Sequence, residues 1–291
     1  MQRFRAGVVA GLVVLSMVSA VVPGAASAAD KSRGSVVLAD GRSARPHSAK
    51  TPGRPVLKSS AAQVAEGGRY SLTARVRSPK RAVRAVLEKW EVPAYYGEPY
   101  WDPVKTVRVA GKGKVTFKRV ATDLNNERYR VVLTYKKVRK AVSSRPVSVA
   151  VWRWIPLSEY SPYYQSESYA IGAGTAMIDG RAYRGWGPYS YSRSGAWESR
   201  FTPGRHCTSF RAVLGVTDIS ADGSTASIGL TADDTLVYTS PSLTPGMSVP
   251  VTVALAKPYR FGVRFTDTTP EDVAGRSWPV LGDPAFYCTG V

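Results

Sequence analysis

Apolar and polar residues alternate along most of the chain. Phe210, Ala212, Leu214 and Val216 stand two apart, with Arg211, Val213 and Gly215 between them, and a side-chain period of two is what a strand with one buried face requires. Val249, Val251, Val253 and Leu255 repeat the spacing, as do Tyr259, Phe261, Val263 and Phe265, which are separated by residues that include Arg260 and Arg264. Asp222-Gly223, Pro245-Gly246 and Lys257-Pro258 punctuate these runs as turns, because Gly and Pro supply permissive or preset backbone angles. The alternation also runs earlier, through Tyr70, Leu72, Ala74 and Val76, Val115 and Phe117, Tyr129, Val131, Leu133 and Tyr135, and Val147, Val149 and Val151. No long helical period and no fixed repeat interrupts it. The pattern predicts an all-β chain with one sandwich over residues 54–152, a Pro-, Ser- and Tyr-rich linker over 153–166 and a second sandwich over 167–291. The second begins with a strand from Ile171 to Ile178 and a turn at Asp179-Gly180.

Residues 1–28 read differently. Arg3 and Arg5 precede an apolar run from Ala6 to Val22, and Ala26-Ser27-Ala28 offers the small residues that a signal peptidase cleaves behind. The expectation is a signal peptide, a mature start at Ala29 and a secreted, extracellular protein with no membrane segment after cleavage. Residues 29–53 are polar and small, too poor in apolar side chains to offset chain entropy, and are expected to form a disordered lead. Export gives the two cysteines, Cys207 and Cys288, a meaning: disulfides persist in oxidising compartments, so the pair is expected to be bridged rather than to be two buried thiols. Two cysteines and two histidines without ligand spacing do not close a zinc shell.

Net charge is +19 and is unevenly distributed. Residues 54–150 carry 22 Lys and Arg against 7 Asp and Glu, whereas residues 151–291 carry 11 against 12. Positions alternating with the apolar ones in the first sandwich include Arg75, Arg77, Lys114, Lys118, Arg128 and Arg130. A field of that sign attracts anionic polymers such as teichoic acids or acidic polysaccharide. The other reading is a set of solvated charges guarding sheet edges against aggregation. Specific nucleic-acid binding is not expected, because charge is the only one of its signatures present.

Asn125-Asn126-Glu127-Arg128-Tyr129-Arg130-Val131 resembles the tyrosine corner of immunoglobulin-like and fibronectin-type modules, which implies an immunoglobulin-like sandwich for residues 54–152. The stretch from Gly174 through Asp179-Gly180 to Tyr183, then Cys207-Thr208-Ser209-Phe210-Arg211-Ala212-Val213-Leu214-Gly215-Val216-Thr217-Asp218, then Leu230 to Tyr238, resembles the NPCBM domain, a carbohydrate-binding module associated with family 98 glycoside hydrolases. Gly282-Asp283-Pro284-Ala285-Phe286-Tyr287-Cys288 resembles the end of its actinobacterial form. The resemblance spans about residues 165–289. It implies a jelly-roll, galactose-binding-like sandwich that binds glycan outside the cell. Where that domain has Asp-Gly this chain has Asp233-Asp234, and where many members end in Trp-Ala-Asp only Asp283 remains, with Trp278 displaced upstream.

Sugar recognition needs flat aromatic faces and a few polar groups. Tyr183, Trp186, Tyr189, Tyr191 and Trp197 form the densest aromatic cluster, and Trp186, Tyr189, Tyr191 and Trp278 are the candidate carbohydrate-binding residues; the alternative for them is half-buried packing at the end of the sandwich. Asp218, Asp222, Asp233 and Asp267 are candidate calcium ligands or, beside Gly and Thr, turn residues; no cofactor is otherwise expected. No catalytic constellation is recognisable. His206 and Cys207 are strand neighbours pointing to opposite faces, and no Gly-x-Ser-x-Gly elbow or Ser-x-x-Lys pair is present. The sequence therefore points to a secreted, non-catalytic carbohydrate-binding protein whose partner is an extracellular glycan or cell-wall polysaccharide. The alternative is a structural or protein-binding surface protein whose basic module binds anionic polymers.

Overall fold

The computed structural model describes residues 52–93, 97–122, 126–166, 170–190 and 192–290; the expected signal peptide and nearly all of the expected lead lie outside the described residues. The chain is all-β, with a single 3-10 turn at Leu157–Glu159 among the described residues. The first nine strands are β1 (Val56–Ser59), β2 (Gln63–Ala65), β3 (Arg69–Arg75), β4 (Ala82–Glu91), β5 (Tyr100–Arg108), β6 (Lys114–Val120), β7 (Glu127–Tyr135), β8 (Val142–Ser143) and β9 (Val147–Pro156). The remaining ten are β10 (Tyr164–Gln165), β11 (Ile171–Ile178), β12 (Arg181–Pro188), β13 (Ala196–Phe201), β14 (Cys207–Val216), β15 (Ala226–Ala232), β16 (Thr235–Thr239), β17 (Ser248–Ala254), β18 (Phe261–Asp267) and β19 (Pro279–Cys288).

In the first sandwich a sheet of β1, β3 and β6 faces a sheet running β5-β4-β7-β9. The alternating apolar residues meet between them: Leu72 and Ala74 from β3, Phe117 from β6, Leu87 from β4, and Val131 and Leu133 from β7 share one buried cluster. Glu127 is buried in the same layer at 1% exposure. Its carboxylate accepts the hydroxyls of Tyr70 and Tyr129 and the backbone N–H of Thr122, while Arg119 Nε donates to Tyr129 Oη at 3.2 Å. Among the described residues the Tyr129 hydroxyl thus meets a carboxylate and a guanidinium; residues 123–125, just upstream, where a tyrosine corner finds its backbone partner, lie outside the described residues. Glu127 stands two residues before Tyr129 on the same face of β7, within reach of its hydroxyl.

The second sandwich sets the sheet β10-β13-β18-β15-β16 against β11, β12, β19, β14 and β17. Phe210, Phe261 and Phe286 pack mutually at 4.7–5.0 Å between ring centroids, and Tyr160 meets Phe286 edge-on at 5.1 Å. Beside them Cys207 and Cys288, opposite one another on β14 and β19, form the expected disulfide, fully buried. The β11–β12 hairpin turns at Asp179 and Gly180, with φ of 52° and 70°, and Asp218 accepts both of their N–H groups. Asp233 and Asp234 make the equivalent two-residue turn between β15 and β16 at φ of 47° and 64°, so the Asp-Asp pair keeps the left-handed geometry without glycine. At Gly187 a Cβ would lie 2.8 Å from the carbonyl oxygen of Pro279; glycine there lets β12 press against β19.

Strand β9 joins the two sandwiches. Val147–Val149 pair with β7, and Arg153–Pro156 pair with Cys288–Ala285 of β19. Residues 153–166, expected to be a linker, are instead strand, turn and core. Ile155 and Leu157 are fully buried, and Tyr160 directs its hydroxyl at the disulfide, 3.3 Å from Cys288 Sγ. Their Pro, Ser and Tyr content resembles a loop because Arg153, an inward-facing charge, breaks the apolar period just where the strand continues.

Candidate functional site

β19 changes partner along one edge, and that change makes the site. Gly282 and Leu281 pair with β12, whereas Ala285 to Cys288 pair with β9, so β12 and β9 diverge at Asp283 and Pro284. A cavity of about 620 Å³ opens in the fork. Apolar wall comes from Trp154, Pro156, Ala173, Trp186, Pro284 and Ala285, and polar groups come from Ser158, Arg184, Arg211 and Asp283. The Arg211 guanidinium lies 4.3 Å from the centroid of Trp154, whose other neighbour is Tyr287 at 5.1 Å. Asp283, at φ 44°, accepts the N–H of Arg184 at 3.0 Å. Apolar walls with a few fixed polar groups are the composition of a small-ligand pocket.

A second cavity of about 300 Å³ shares Ala173, Gly174 and Gly185 with the first and adds Tyr189, Ile219 and Trp278. Three of the four aromatic candidates therefore border these two adjoining spaces, Trp186 the larger, Tyr189 and Trp278 the smaller. Tyr191 lies outside the described residues. Trp186 does not offer a stacking face. It is 6% exposed, packs edge-on against Phe201 at 5.2 Å and donates Nε1–H to Ser199 Oγ. Tyr189 is 63% exposed, and Trp278 is half-buried with its ring 6.4 Å from that of Trp197. Sequence reasoning missed Trp154, Arg184 and Arg211. The available signal was the outward parity of Trp152, Trp154 and Pro156 on a strand whose inward positions are Val151, Arg153 and Ile155.

Three of the acidic candidates, Asp218, Asp233 and Asp267, act as backbone clamps. Asp233 accepts the N–H groups of Tyr259 and Arg260, and Asp218 holds the β11–β12 turn. Burial works against the charge on Asp267, but the hydroxyl and N–H of Thr269 and the hydroxyl of Ser277 outweigh it and hold its carboxyl below the usual range. Among the described residues no three His, Cys, Asp or Glu side chains gather as a metal site. The sulfur of Cys207 is committed to the disulfide.

The six basic candidates divide between the two sheets of the first sandwich. Arg75 faces Lys114 across β3 and β6, with Lys118 further along β6 and Arg77 just beyond β3. Arg128 and Arg130 belong to β7 in the other sheet. Arg130 pairs with Glu88 at 2.6 Å and lies over Trp101 at 4.4 Å, and Arg128 lies over Trp90 at 5.7 Å. Arg75, Lys114 and Lys118 share a sheet, and Arg77 follows the end of β3 by two residues.

Burial pushes the phenols of Tyr70, Tyr129 and Tyr135 above their ordinary value, and that of Tyr160 up to about 12. Groups whose folded pKa exceeds the unfolded one stabilise the fold fully below the unfolded value, about pH 10, and lose that contribution as pH rises through the folded value. Between neutral pH and about pH 10 the denaturant midpoint is therefore expected to hold steady, and to fall from there toward pH 12. Tyr160→Phe should flatten the part of that fall belonging to the second sandwich, and an unchanged slope would remove Tyr160 from the account.

No family model matches the sequence, and no curated protein matches it. Similar solved structures include a CBM51 from Clostridium perfringens GH95 in complex with methyl-galactose, at 18% identity over 46% of this chain and 99% of that one, with a TM-score of 0.36. CBM51-2 and INT domains from Clostridium perfringens ZmpB are similar at 11% identity over 57% of this chain and 38% of that one, TM-score 0.36. CBM51-2 in complex with GlcNAc, with the INT domains of the same protein, is similar at 10% identity over 81% of this chain and 48% of that one, TM-score 0.37. This chain thus spans less than half of those two ZmpB structures; these three solved structures carry the names of carbohydrate-binding modules.

Proposed function

We propose that this is a secreted, non-catalytic carbohydrate-binding protein, NPCBM-like in its second sandwich, acting on extracellular or cell-wall glycans. The observation that carries the reading is the cavity at the β9–β12 fork, where apolar walls and the polar groups of Arg184, Arg211 and Asp283 converge. A buried disulfide supports export, since such bridges survive outside the reducing cytosol. Arg75, Lys114 and Lys118 on the β3–β6 sheet, with Arg77 just beyond β3, would hold the protein near anionic wall polymers.

The test is glycan-array binding by the full chain, compared with two variants. A Cβ added at Gly174 meets no atom within 4 Å, so Gly174→Val starts its side chain in open space and puts bulk beside both cavities. It is expected to weaken binding about tenfold or more. Tyr189→Ala, at an exposed position, should weaken binding only if the smaller cavity holds part of the ligand. Glycan binding that survives Gly174→Val unchanged would move the site elsewhere.

A further inference from the structure

Resting on the reading that the fork cavity holds a saccharide, we infer that this saccharide is anionic, carrying a carboxylate or phosphate group met by Arg184 and Arg211. The two guanidiniums come from β12 and β14 and line the same cavity. Three arginines outside the cavity are ion-paired, Arg130 with Glu88, Arg200 with Glu198 and Asp234, and Arg153 with Glu159. Among the described residues neither Arg184 nor Arg211 has an ion-pair partner. Asp283, the one carboxylate in the wall, has an oxygen engaged by the Arg184 N–H, and its single charge leaves the cavity net positive.

The Arg211 guanidinium lies over the Trp154 ring, a cation–π contact that favours the rotamer keeping its donors at the cavity and lowers the ordering cost of binding. A planar fork of donors matches the paired oxygens of a carboxylate or phosphate, and such charge-assisted bonds are stronger than those to a neutral hydroxyl. The positive charge is also local. Residues 151–291 hold 11 basic and 12 acidic side chains, so two unpaired arginines in one apolar-walled space do not follow from a generally basic surface, as they would in the first sandwich.

Calorimetry on the full chain with matched sugars tests this: methyl galactoside against methyl galacturonoside, methyl glucoside against methyl glucuronoside, and N-acetylglucosamine against its 6-phosphate. At least one acidic member should bind about 10- to 100-fold more tightly than its neutral partner, less so at high ionic strength. Preference for uronate or for phosphate then identifies which anionic group is recognised. Arg211→Gln should bring the acidic sugar down to the neutral one. Arg184→Gln, at a residue that stacks on no ring among the described residues, should do the same without touching Trp154, and Arg264→Gln on β18 should change nothing. Neutral sugars bound as well as acidic ones would overturn the charge requirement and leave the saccharide reading standing. Binding of neither kind, on the panel or on a wider array, would overturn both.

Discussion

Replacing Cys207 and Cys288 together with alanine is expected to lower the stability of the protein by about 4.5 kcal/mol. The two residues are 81 apart in sequence, and closing a loop of that length in the unfolded chain removes entropy that the folded chain never had. The bridge ties the last strand, β19, to β14, and β19 is also the strand that β12 and β9 lean on. A loss of that size is a large share of the roughly 5–15 kcal/mol that holds a typical domain folded. Urea unfolding of the variant against the parent measures it. A shift below about 1 kcal/mol would mean that β19 is held by its ladder and by the Phe210, Phe261 and Phe286 packing alone.

The second large effect is expected at Glu127. Glu127→Leu removes the acceptor of the buried Tyr70 and Tyr129 hydroxyls, and of the N–H of Thr122 at the exposed margin. Each buried donor left without a partner costs about 1–3 kcal/mol, so a loss of about 3–5 kcal/mol is expected. Glu127→Gln keeps a carbonyl acceptor and should retain a good part of it. Thermal unfolding of the two variants separates hydrogen bonding from packing, because leucine preserves apolar bulk and glutamine preserves the acceptor. A leucine variant as stable as the parent would show that the phenols find other partners. Tyr70 belongs to β3 and Glu127 to β7, in facing sheets, so the loss would be felt as a loosening of one sheet against the other.

Strands with one buried face were legible in the sequence because burial there writes itself as alternation. Phe210, Leu214 and Val216 on β14, and Leu72 and Ala74 on β3, are buried as their period predicts. The Asp179-Gly180 turn was legible for the same local reason, since two left-handed residues in succession call for Asp and Gly. Glu127 shares the parity of Tyr129 and Val131, and that parity alone pointed inward; its charge pointed outward, and only the two tyrosines that solvate it decide the contest. The binding candidates were legible as a composition, not as a place. Trp186, Tyr189 and Trp278 do border adjoining cavities, but the larger one is built by β19 exchanging β12 for β9, a non-local pairing that no local period records. Arg184 and Arg211 lie 27 positions apart and meet only through that exchange.

One consequence follows from β9. A polypeptide hinge between two modules lets each tumble and sample orientations, but here the same backbone is laddered to β7 at its beginning and to β19 near its end. Swivelling at that junction would require stripping main-chain hydrogen bonds from one flank. A surface gripped by the basic end would hence hold the fork cavity at a set angle and distance, in the manner of a rigid bracket and not a tether.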